Sequence, residues 1–359
     1  MHTQAILAWY QRHQRDLPWR KTNDPYKIWI SEIMLQQTQV ETVKPYYARF
    51  FKKFPTVSAL AKAPLDTVLK AWEGLGYYSR ARHLHKAAQI IVKQHRSKIP
   101  RSKAELLKLP GIGRYTAGAI LSIAFGQDEA AVDGNLQRVL SRLFSIESDL
   151  KEQSTQEALW LIATQLLPHG QAGLFNQALM DLGSSICIPG RPRCLICPLT
   201  KMCEARKQGR QTVLPVKTRK KEWPHYEVAV GVIYHRDKIL IAQRPNQGLL
   251  AGLWEFPGGK REAGEPLKTC VRREIQEELG INVKVEKLLG VIKQGYSHFK
   301  VTLHAFRCHF ISGEPVARGC QDWKWVKLNE LNKYAFPAAT HKIIATLEAP
   351  RAKNAGQQK

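Results

Sequence analysis

The sequence lacks a long apolar run anywhere along its 359 residues. A membrane-spanning helix needs roughly 20 consecutive apolar residues, and no stretch approaches that length. The N-terminal MHTQAILAWYQRHQR also reaches charged residues after one short apolar run, which is not the pattern of a targeting peptide. We therefore expect a soluble intracellular protein without a membrane span or a targeting segment.

Acidic residues are also scarce. The chain has 30 Asp and Glu against 55 Lys and Arg, a formal net charge of +25. This imbalance argues against a generic metabolic enzyme and favours a polyanionic partner, with nucleic acid ahead of an anionic membrane surface. The length favours two domains, each with its own core, and no internal repeat is visible.

Cysteine is infrequent, and its distribution argues against a disulfide framework. Three of the seven cysteines are scattered, whereas the other four lie within 17 residues. An odd, clustered set is typical of metal ligands in a reducing compartment. The clustered residues, spaced C-x6-C-x2-C-x5-C, are Cys187, Cys194, Cys197 and Cys203. The spacing favours a [4Fe-4S] cluster, with zinc or free thiols as the alternatives.

Cations accompany the four-cysteine loop, residues 187–203. Arg191 and Arg193 lie between the first two cysteines. A rigid loop that carries these charges favours contact with phosphates over electron transfer. A purely structural loop is the alternative.

The hydrophobic pattern changes once along the chain. From Tyr26 to about Met180, apolar residues recur every three or four positions between Pro and Gly, which predicts many short helices. From Tyr226 the period becomes two, and an acidic helix follows a Gly-rich loop. We expect a multidomain protein, with the following parts: an all-α domain at residues 1–205, an exposed basic linker at 206–225, an α+β domain at 226–348 and a disordered tail at 349–359.

A short segment with Pro and Gly, residues 109–113, lies between two predicted helices. Gly111 and Gly113 permit a turn that leaves N–H groups at a helix N-terminus free to bind a DNA phosphate. Alone, the segment also fits an ordinary helix-helix turn. Together with ISEIMLQQTQV, AVDGNLQRVL and the four-cysteine loop, it resembles the helix-hairpin-helix glycosylases with a Gly/Pro-rich loop and an aspartate, and more narrowly the adenine DNA glycosylase (MutY) branch. The resemblance extends from Arg15 to about Leu347.

Two carboxylates in these motifs suit the breaking of an N-glycosidic bond. The reaction needs a proton donor for the leaving base and a negative charge near the sugar. The apolar neighbours of Glu32 in IWISEIML predict a raised pKa and a protonated carboxyl group, and the resemblance implies adenine N7 as the acceptor. Asp133 precedes a helix, which also predicts an N-cap, and the resemblance implies that it stabilises an oxocarbenium-like sugar.

Tyr115 follows the hairpin at a position where the resemblance implies a distinction. Bifunctional relatives such as endonuclease III carry a lysine there, whose amine forms a Schiff base, and a phenol cannot do this. The resemblance therefore implies a monofunctional glycosylase that leaves an abasic site. Tyr115 and Asn135 are expected to support Asp133 by hydrogen bonding.

The target base must leave the duplex, so the site also needs residues that grip both strands. The resemblance implies that Arg15, Trp19 and Arg20 surround the extruded adenine. Near the opposing strand it implies these four residues: Leu35, Gln37, Thr38 and Tyr77. For each, helix packing or a solvated charge is the ordinary alternative.

The second domain contains a complete Nudix box. Its positions are Gly259, Glu265, Arg273, Glu274, Ile275, Glu277, Glu278, Gly280 and Ile281. Glu274, Glu277 and Glu278 fall on one helix face, where carboxylates can hold Mg²⁺. The box resembles that of the 8-oxo-dGTP pyrophosphohydrolases, whereas adenine glycosylases usually carry an eroded one. An inherited scaffold is the favoured interpretation, and idle metal binding or genuine nucleotide hydrolysis are the alternatives.

The segment Tyr296-Ser297-His298-Phe299 resembles the loop with which the family reads 8-oxoguanine. The resemblance implies that Ser297 bonds the damaged base and that His298 probes it, whereas a plain strand-edge turn is the alternative. We expect a monomeric adenine glycosylase acting on A:8-oxoguanine or A:G in duplex DNA, cytoplasmic and nucleoid-associated. The competing functions are a pyrimidine glycosylase with lyase activity, a nucleotide pyrophosphohydrolase tethered to DNA and a non-catalytic DNA-binding module.

Overall fold

The computed structural model describes residues 2–216, 218, 222–296 and 298–348. Two of the features predicted above, Ser297 and the disordered tail at 349–359, lie outside this range. The chain forms two compact units: residues 1–62 with 83–220, and residues 63–82 with 221–359. None of the described helices is long and apolar enough to cross a membrane.

The α-helices follow the predicted short-helix pattern. In chain order they are α1 His2–His13, α2 Pro25–Leu35, α3 Val40–Lys53, α4 Val57–Lys62, α5 Leu65–Trp72, α6 Ser79–Gln94, α7 Lys103–Leu107, α8 Arg114–Phe125, α9 Gly134–Leu143, α10 Gln153–Gln165, α11 Ala172–Ser185, α12 Glu204–Lys207, α13 Leu267–Leu279 and α14 Ala338–Glu348. The β-strands are β1 His225–His235, β2 Lys238–Gln243, β3 Trp254–Glu255, β4 Gly258–Lys260, β5 Asn282–Gly295, β6 Lys300–Ser312 and β7 Asp322–Lys327.

The described residues of the first unit form helices joined by turns and loops, and none of them forms a β-strand. Its core forms where α1, α9, α10 and α11 bury their apolar faces, with Leu136, Leu140, Leu159, Phe175 and Leu182 at its centre. Short helices that each hide one apolar stripe can be stable only through such packing. The all-α prediction is confirmed.

The second unit is built on a mixed seven-stranded sheet. The strand order is β3-β2-β1-β6-β5, with β4 paired to β1 and β7 paired to β2, and only the β1/β6 pair is parallel among the described strands. Alternate residues of β1 face opposite sides. Val230 and Val232 join a core covered by α14, whereas Ala229 and Ile233 join another that includes Ile275 of α13. The predicted α+β domain is confirmed.

Residues 63–82 pack with the sheet unit although they lie early in the chain. Asp66 accepts a hydrogen bond of 3.0 Å from Gln243, and Arg82 donates one of 2.8 Å to the carbonyl oxygen of Ala251. The hydrophobic pattern of the sequence places this segment in the helical domain instead. Periodicity predicts the helix α5 but not its partner, because any apolar face can pack on any other.

Most described residues of the basic linker are exposed, as predicted, but the linker also contacts the first unit at a few points. Leu214 is buried, and its carbonyl oxygen accepts a hydrogen bond of 2.9 Å from Arg142. Arg210 pairs with Glu147, and Asp149 accepts hydrogen bonds from Thr218. Two acidic residues of the first unit, Glu147 and Asp149, therefore hold the linker at these points.

Candidate active site

One cavity of about 860 Å³ lies in the first unit. It is lined by the segment at 15–20, by α2 and the turn after it, and by residues of α8, α9 and α11. The predicted residues that line it are Arg15, Trp19, Arg20, Glu32, Leu35, Gln37, Thr38, Tyr115, Asp133 and Asn135. The described cavity thus brings together both carboxylates and most of the predicted base-binding residues.

Glu32 lies in the last turn of α2, with 6% of its surface exposed. The hydroxyl of Tyr115 donates a hydrogen bond of 2.5 Å to Glu32 Oε2. Burial raises the pKa of Glu32 to about 7, and the charge of Asp133 acts in the same direction, whereas the Tyr115 hydrogen bond and the charge of Arg20 oppose them. The direction of the predicted pKa shift is confirmed.

The hydrogen-bond partner of Tyr115 differs from the prediction. It was expected to support Asp133, but the structure places its hydroxyl on Glu32. The sequence alone does not choose between the two carboxylates, because Tyr115 lies 18 residues from Asp133 and 83 from Glu32 along the chain. The sulfur of Met180 lies 3.8 Å from the same hydroxyl.

Asp133 is the N-cap of α9, as predicted. Its Oδ1 accepts hydrogen bonds from the backbone N–H groups of Asn135, at 3.0 Å, and Leu136, at 2.7 Å. The Asn135 side chain donates to Oδ2 at 2.7 Å, which confirms the predicted contact. Burial raises the pKa of Asp133, whereas these donors and the charge of Arg138 lower it. The carboxyl group is therefore fixed at the positive end of a helix dipole.

Asp181 on α11 is the main site residue that sequence analysis missed. It is 1% exposed and binds both predicted arginines: Arg15 Nε donates to it at 2.7 Å and Arg20 Nη2 at 2.7 Å. A buried acidic residue in FNQALMDLG was the available signal, because such a group needs a cationic partner. Asp181 itself is not among the lining residues of the cavity, but three other residues of α11 are: Gln177, Met180 and Ser184.

Comparisons with known proteins identify the family of this chain. Residues 30–164 match the HhH-GPD superfamily of base excision DNA repair proteins, and residues 228–346 match the NUDIX domain. The chain is 35% identical to the adenine DNA glycosylase of Homo sapiens, over 95% of this chain and 72% of that protein. It is 36% identical to the adenine DNA glycosylase of Buchnera aphidicola subsp. Baizongia pistaciae, over 96% of both. The chain belongs to the adenine DNA glycosylase family.

Solved structures of other DNA glycosylases support the fold of the helical part. A thermostable thymine-DNA glycosylase is 34% identical, with a TM-score of 0.53 over 58% of this chain and 95% of its own. A trapped endonuclease III-DNA covalent intermediate, 24% identical with a TM-score of 0.51, shares the fold. This member of the adenine DNA glycosylase family is therefore a DNA N-glycosylase of base excision repair, and double-stranded DNA is its partner.

The helix-hairpin-helix of this glycosylase is formed by α7 and α8. The turn between them closes with a hydrogen bond of 3.2 Å from the Ile112 N–H to the Leu109 carbonyl. Gly111 has a φ of +79°, and a Cβ there would lie 2.8 Å from His83 Cβ, so only glycine fits without strain. Gly113 is the N-cap of α8.

The four predicted cysteine ligands of the glycosylase line one small cavity of about 30 Å³. Cys187 follows α11, and Cys203 is the N-cap of α12. Arg142 donates a hydrogen bond to the sulfur of Cys187 at 3.3 Å, and the Cys203 thiol donates to the Arg142 carbonyl oxygen at 3.4 Å. Among the described residues, no group of three or more His, Cys, Asp or Glu side chains is arranged to hold a metal ion.

The Nudix-box carboxylates of the second unit surround one arginine. Arg273 donates to Glu265 at 2.9 Å, to Glu274 at 3.0 Å and to Glu277 at 3.1 Å. Glu278 accepts a hydrogen bond of 3.2 Å from the N–H of Gly258, and burial raises its pKa to about 8. The three predicted Mg²⁺ ligands therefore lie on α13 as expected, but two of them bind Arg273.

The remaining predicted DNA-binding residues lie in the second unit. Tyr77 is 45% exposed and has a φ of +48°. His298 is exposed, and its neighbours in the loop form a stacked pair, Tyr296 and Phe299, with ring centroids 4.9 Å apart. These residues are not among those that line the cavity of the first unit.

Proposed function

We propose that this chain hydrolyses the N-glycosidic bond of adenine paired with 8-oxoguanine or G in duplex DNA. The observation that carries the proposal is the convergence of Glu32 and Asp133 on one cavity large enough for an extruded base. Two carboxyl groups with different environments suit two different roles. Glu32 is buried and has a raised pKa, whereas Asp133 accepts three hydrogen bonds.

Each carboxyl group has one task in the proposed reaction. Glu32, protonated near neutral pH, gives its proton to N7 of adenine while the bond between N9 and C1′ breaks. Asp133 stabilises the positive charge that develops on the sugar, and water then adds at C1′ and gives up a proton, which restores the acid form of Glu32. Tyr115 orients Glu32 through its hydrogen bond, and it has no amine with which to form a Schiff base. The product is an abasic site in an unbroken strand.

Labelled duplexes test this proposal. Substrates that carry A opposite 8-oxoguanine, A opposite G, or thymine glycol are incubated with the full chain. Adenine release without strand cleavage until alkali is added supports the proposal. Direct cleavage at thymine glycol would instead identify a pyrimidine glycosylase with lyase activity. Glu32→Gln and Asp133→Asn should each abolish turnover while duplex binding is retained.

We also propose that the loop 296–299 reads the base opposite adenine. The ring of Tyr296 stacks on that of Phe299, and the ring centroids of Phe299 and Tyr226 are 5.7 Å apart, so that Phe299 packs the loop against β1. Ser297→Ala should lower the preference for 8-oxoguanine over G, measured as the ratio of excision rates. An unchanged ratio would refute the assignment, and Ser312→Ala, at the end of β6, is a control.

A [4Fe-4S] cluster is the cofactor that we propose for the four-cysteine loop. The donor set fits, because four thiols line one cavity and the Arg142 guanidinium lies 3.3 Å from the Cys187 sulfur. When bound, the cluster would hold the loop rigid so that Arg191 and Arg193 can contact phosphates. Iron, sulfide and zinc analysis of anaerobically purified protein tests this: about one zinc per chain without iron would contradict it.

The Nudix box is proposed to be chiefly a scaffold. Arg273 neutralises part of the charge that a Mg²⁺ ion would need, because it binds Glu265, Glu274 and Glu277 together. Residual nucleotide hydrolysis is the second candidate, and the complete box motivates it. The full chain is incubated with 8-oxo-dGTP and Mg²⁺. Release of pyrophosphate that Glu277→Gln abolishes would establish hydrolysis.

A further inference from the structure

Tyr77 is held in an unfavourable backbone conformation. Its φ of +48° is rare for a bulky residue and persists only where the surrounding structure fixes it. Part of the support is local. Arg80 donates hydrogen bonds to the carbonyl oxygens of Leu75, at 3.2 Å, and Gly76, at 3.1 Å, and its guanidinium lies 5.5 Å from the centre of the Tyr77 ring.

The rest of the support comes from the C-terminal part of the chain through Glu73. Glu73 Oε1 accepts hydrogen bonds from the Phe336 N–H, at 2.8 Å, and from His341 Nε2, at 2.7 Å. Its Oε2 accepts one from Lys70 Nζ at 2.5 Å. We call these four residues the Glu73 cluster. It connects Glu73, directly after α5, with Phe336, which lies just before α14 and 263 residues further along the chain.

Two more hydrogen bonds attach the same segment to the same place. Lys70 Nζ also donates to the Tyr334 carbonyl oxygen at 2.9 Å. The Tyr78 hydroxyl donates to the Phe336 carbonyl oxygen at 3.3 Å and accepts from the Gly74 N–H at 3.3 Å. The residues on both sides of the turn that carries Tyr77 are therefore bound to residues 334–341. Phe336 itself is fully buried.

We propose that Glu73 is a positioning residue for recognition of the base opposite adenine: it fixes Tyr77 to the compact unit that also carries the loop 296–299. The inference rests on the proposed function. A base-flipping enzyme must insert one group into the duplex and read the orphaned base with another, so these two groups need a constant separation. The Glu73 cluster supplies that constraint, because charge-assisted hydrogen bonds to a half-buried carboxylate are short and directional.

The test compares Glu73→Gln with a matched control, Glu330→Gln. Glu330 lies in the same unit and, like Glu73, pairs with a lysine and accepts a backbone N–H. Its partners are Lys333, at 2.8 Å, and the N–H of Lys327, at 3.2 Å, and both lie only three residues away in the chain. The measured quantity is the ratio of single-turnover excision rates for A:8-oxoguanine and A:G at subsaturating enzyme. Glu73→Gln should lower this ratio about fivefold, and the control should leave it unchanged.

A second comparison separates positioning from a general loss of stability. In a Tyr77→Ala background, Glu73→Gln should have no further effect on the ratio, because the residue through which it acts is gone. The rate at which the single variant Glu73→Gln excises adenine from A:8-oxoguanine at saturating enzyme should stay within about twofold of the parent rate. If Glu73→Gln does not fold, His341→Gln removes one donor and leaves Lys70 and Phe336 in place.

The outcomes are distinguishable. A ratio that Glu73→Gln and His341→Gln leave unchanged overturns the inference, and so does an equal drop in the Tyr77→Ala background. In both cases the parent still excises adenine, so the proposed function stands. A parent enzyme that releases no adenine from either duplex overturns the function and this inference together.

Discussion

The carboxyl group of Glu32 is held between groups that act on its pKa in opposite directions. Burial and the charge of Asp133 favour the neutral acid, whereas the Tyr115 hydroxyl and Arg20 favour the carboxylate. Asp181 binds Arg20 in turn. The resulting pKa of about 7 suits a proton donor that works near neutral pH.

The pH dependence of excision should follow Glu32. Because the acid form is the donor, the single-turnover rate should fall as pH rises through about 7. Tyr115→Phe removes a hydrogen bond that lowers this pKa, so the alkaline decline should move to higher pH. Tyr46→Phe on α3, away from the cavity lining, is the control. A decline at the same or a lower pH in Tyr115→Phe would contradict the assignment.

The carboxyl group of Glu32 should also lower the free energy of unfolding at alkaline pH. The pKa of Glu32 is about 7 in the folded chain, above its ordinary value of 4.5. Between pH 4.5 and 7 the folded chain therefore binds more protons than the unfolded chain, and the free energy of unfolding falls as pH rises. Glu32→Gln should therefore match the parent near pH 5 and exceed its stability by about 1–3 kcal/mol at pH 8. Denaturation at the two pH values measures this.

The control for that comparison is Glu157→Gln. Glu157 is an exposed partner of Arg114, and such pairs contribute little to stability. Its removal should change stability equally, and only slightly, at both pH values. A Glu32→Gln variant that is less stable than the parent at pH 8 would show that the carboxylate is stabilised in the folded state.

At the scale of elements, the hairpin between α7 and α8 depends on the close approach of one turn to α6. Gly111→Ala adds a Cβ at 2.8 Å from the Cβ of His83 in a left-handed conformation. We expect a loss of about 1–3 kcal/mol and weaker duplex binding, because the N–H groups at the start of α8 would shift. Denaturation and fluorescence anisotropy measure the two effects.

Gly126 offers a matched comparison. It is also left-handed, with a φ of +66°, but a Cβ there would meet nothing within 4 Å. Gly126→Ala should therefore show only the conformational cost, about 1 kcal/mol, and normal duplex affinity. Equal losses of affinity in both variants would indicate that the hairpin does not contact DNA.

At the scale of the whole molecule, the charge of +25 should dominate DNA affinity. Proteins that bind 6–10 phosphates lose about 10³–10⁵ in affinity between 50 and 200 mM salt, and we expect a loss in this range. Replacing Arg191 and Arg193 by Gln should reduce the slope of log K against log salt by about 2.

Two paired lysines provide the control for that measurement. Lys327 and Lys333 interact with Asp237 and Glu330, so their replacement by Gln should leave the slope nearly unchanged. A slope that is the same for the Arg191 and Arg193 variant as for the parent would remove the four-cysteine loop from the DNA-binding surface.

The sequence by itself determined the two fold classes, the helix-hairpin-helix and ten of the residues that line the cavity. Hydrophobic period, turn-forming glycines and the N-cap of α9 are local properties, and short motifs carry them. The contacts of Asn135 with Asp133 could be anticipated because the two residues are neighbours in the chain. Contacts between residues that lie far apart in the chain could not be anticipated in this way.

Only the tertiary structure decided that Tyr115 binds Glu32, that Asp181 holds both arginines and that residues 63–82 join the sheet unit. Each depends on which of several chemically equivalent partners packing brings within about 3 Å. Side-chain chemistry states what a residue can bind. The choice among distant partners is made by the packing of helices and strands, because burial against the whole core, and not a local preference, sets where each element lies.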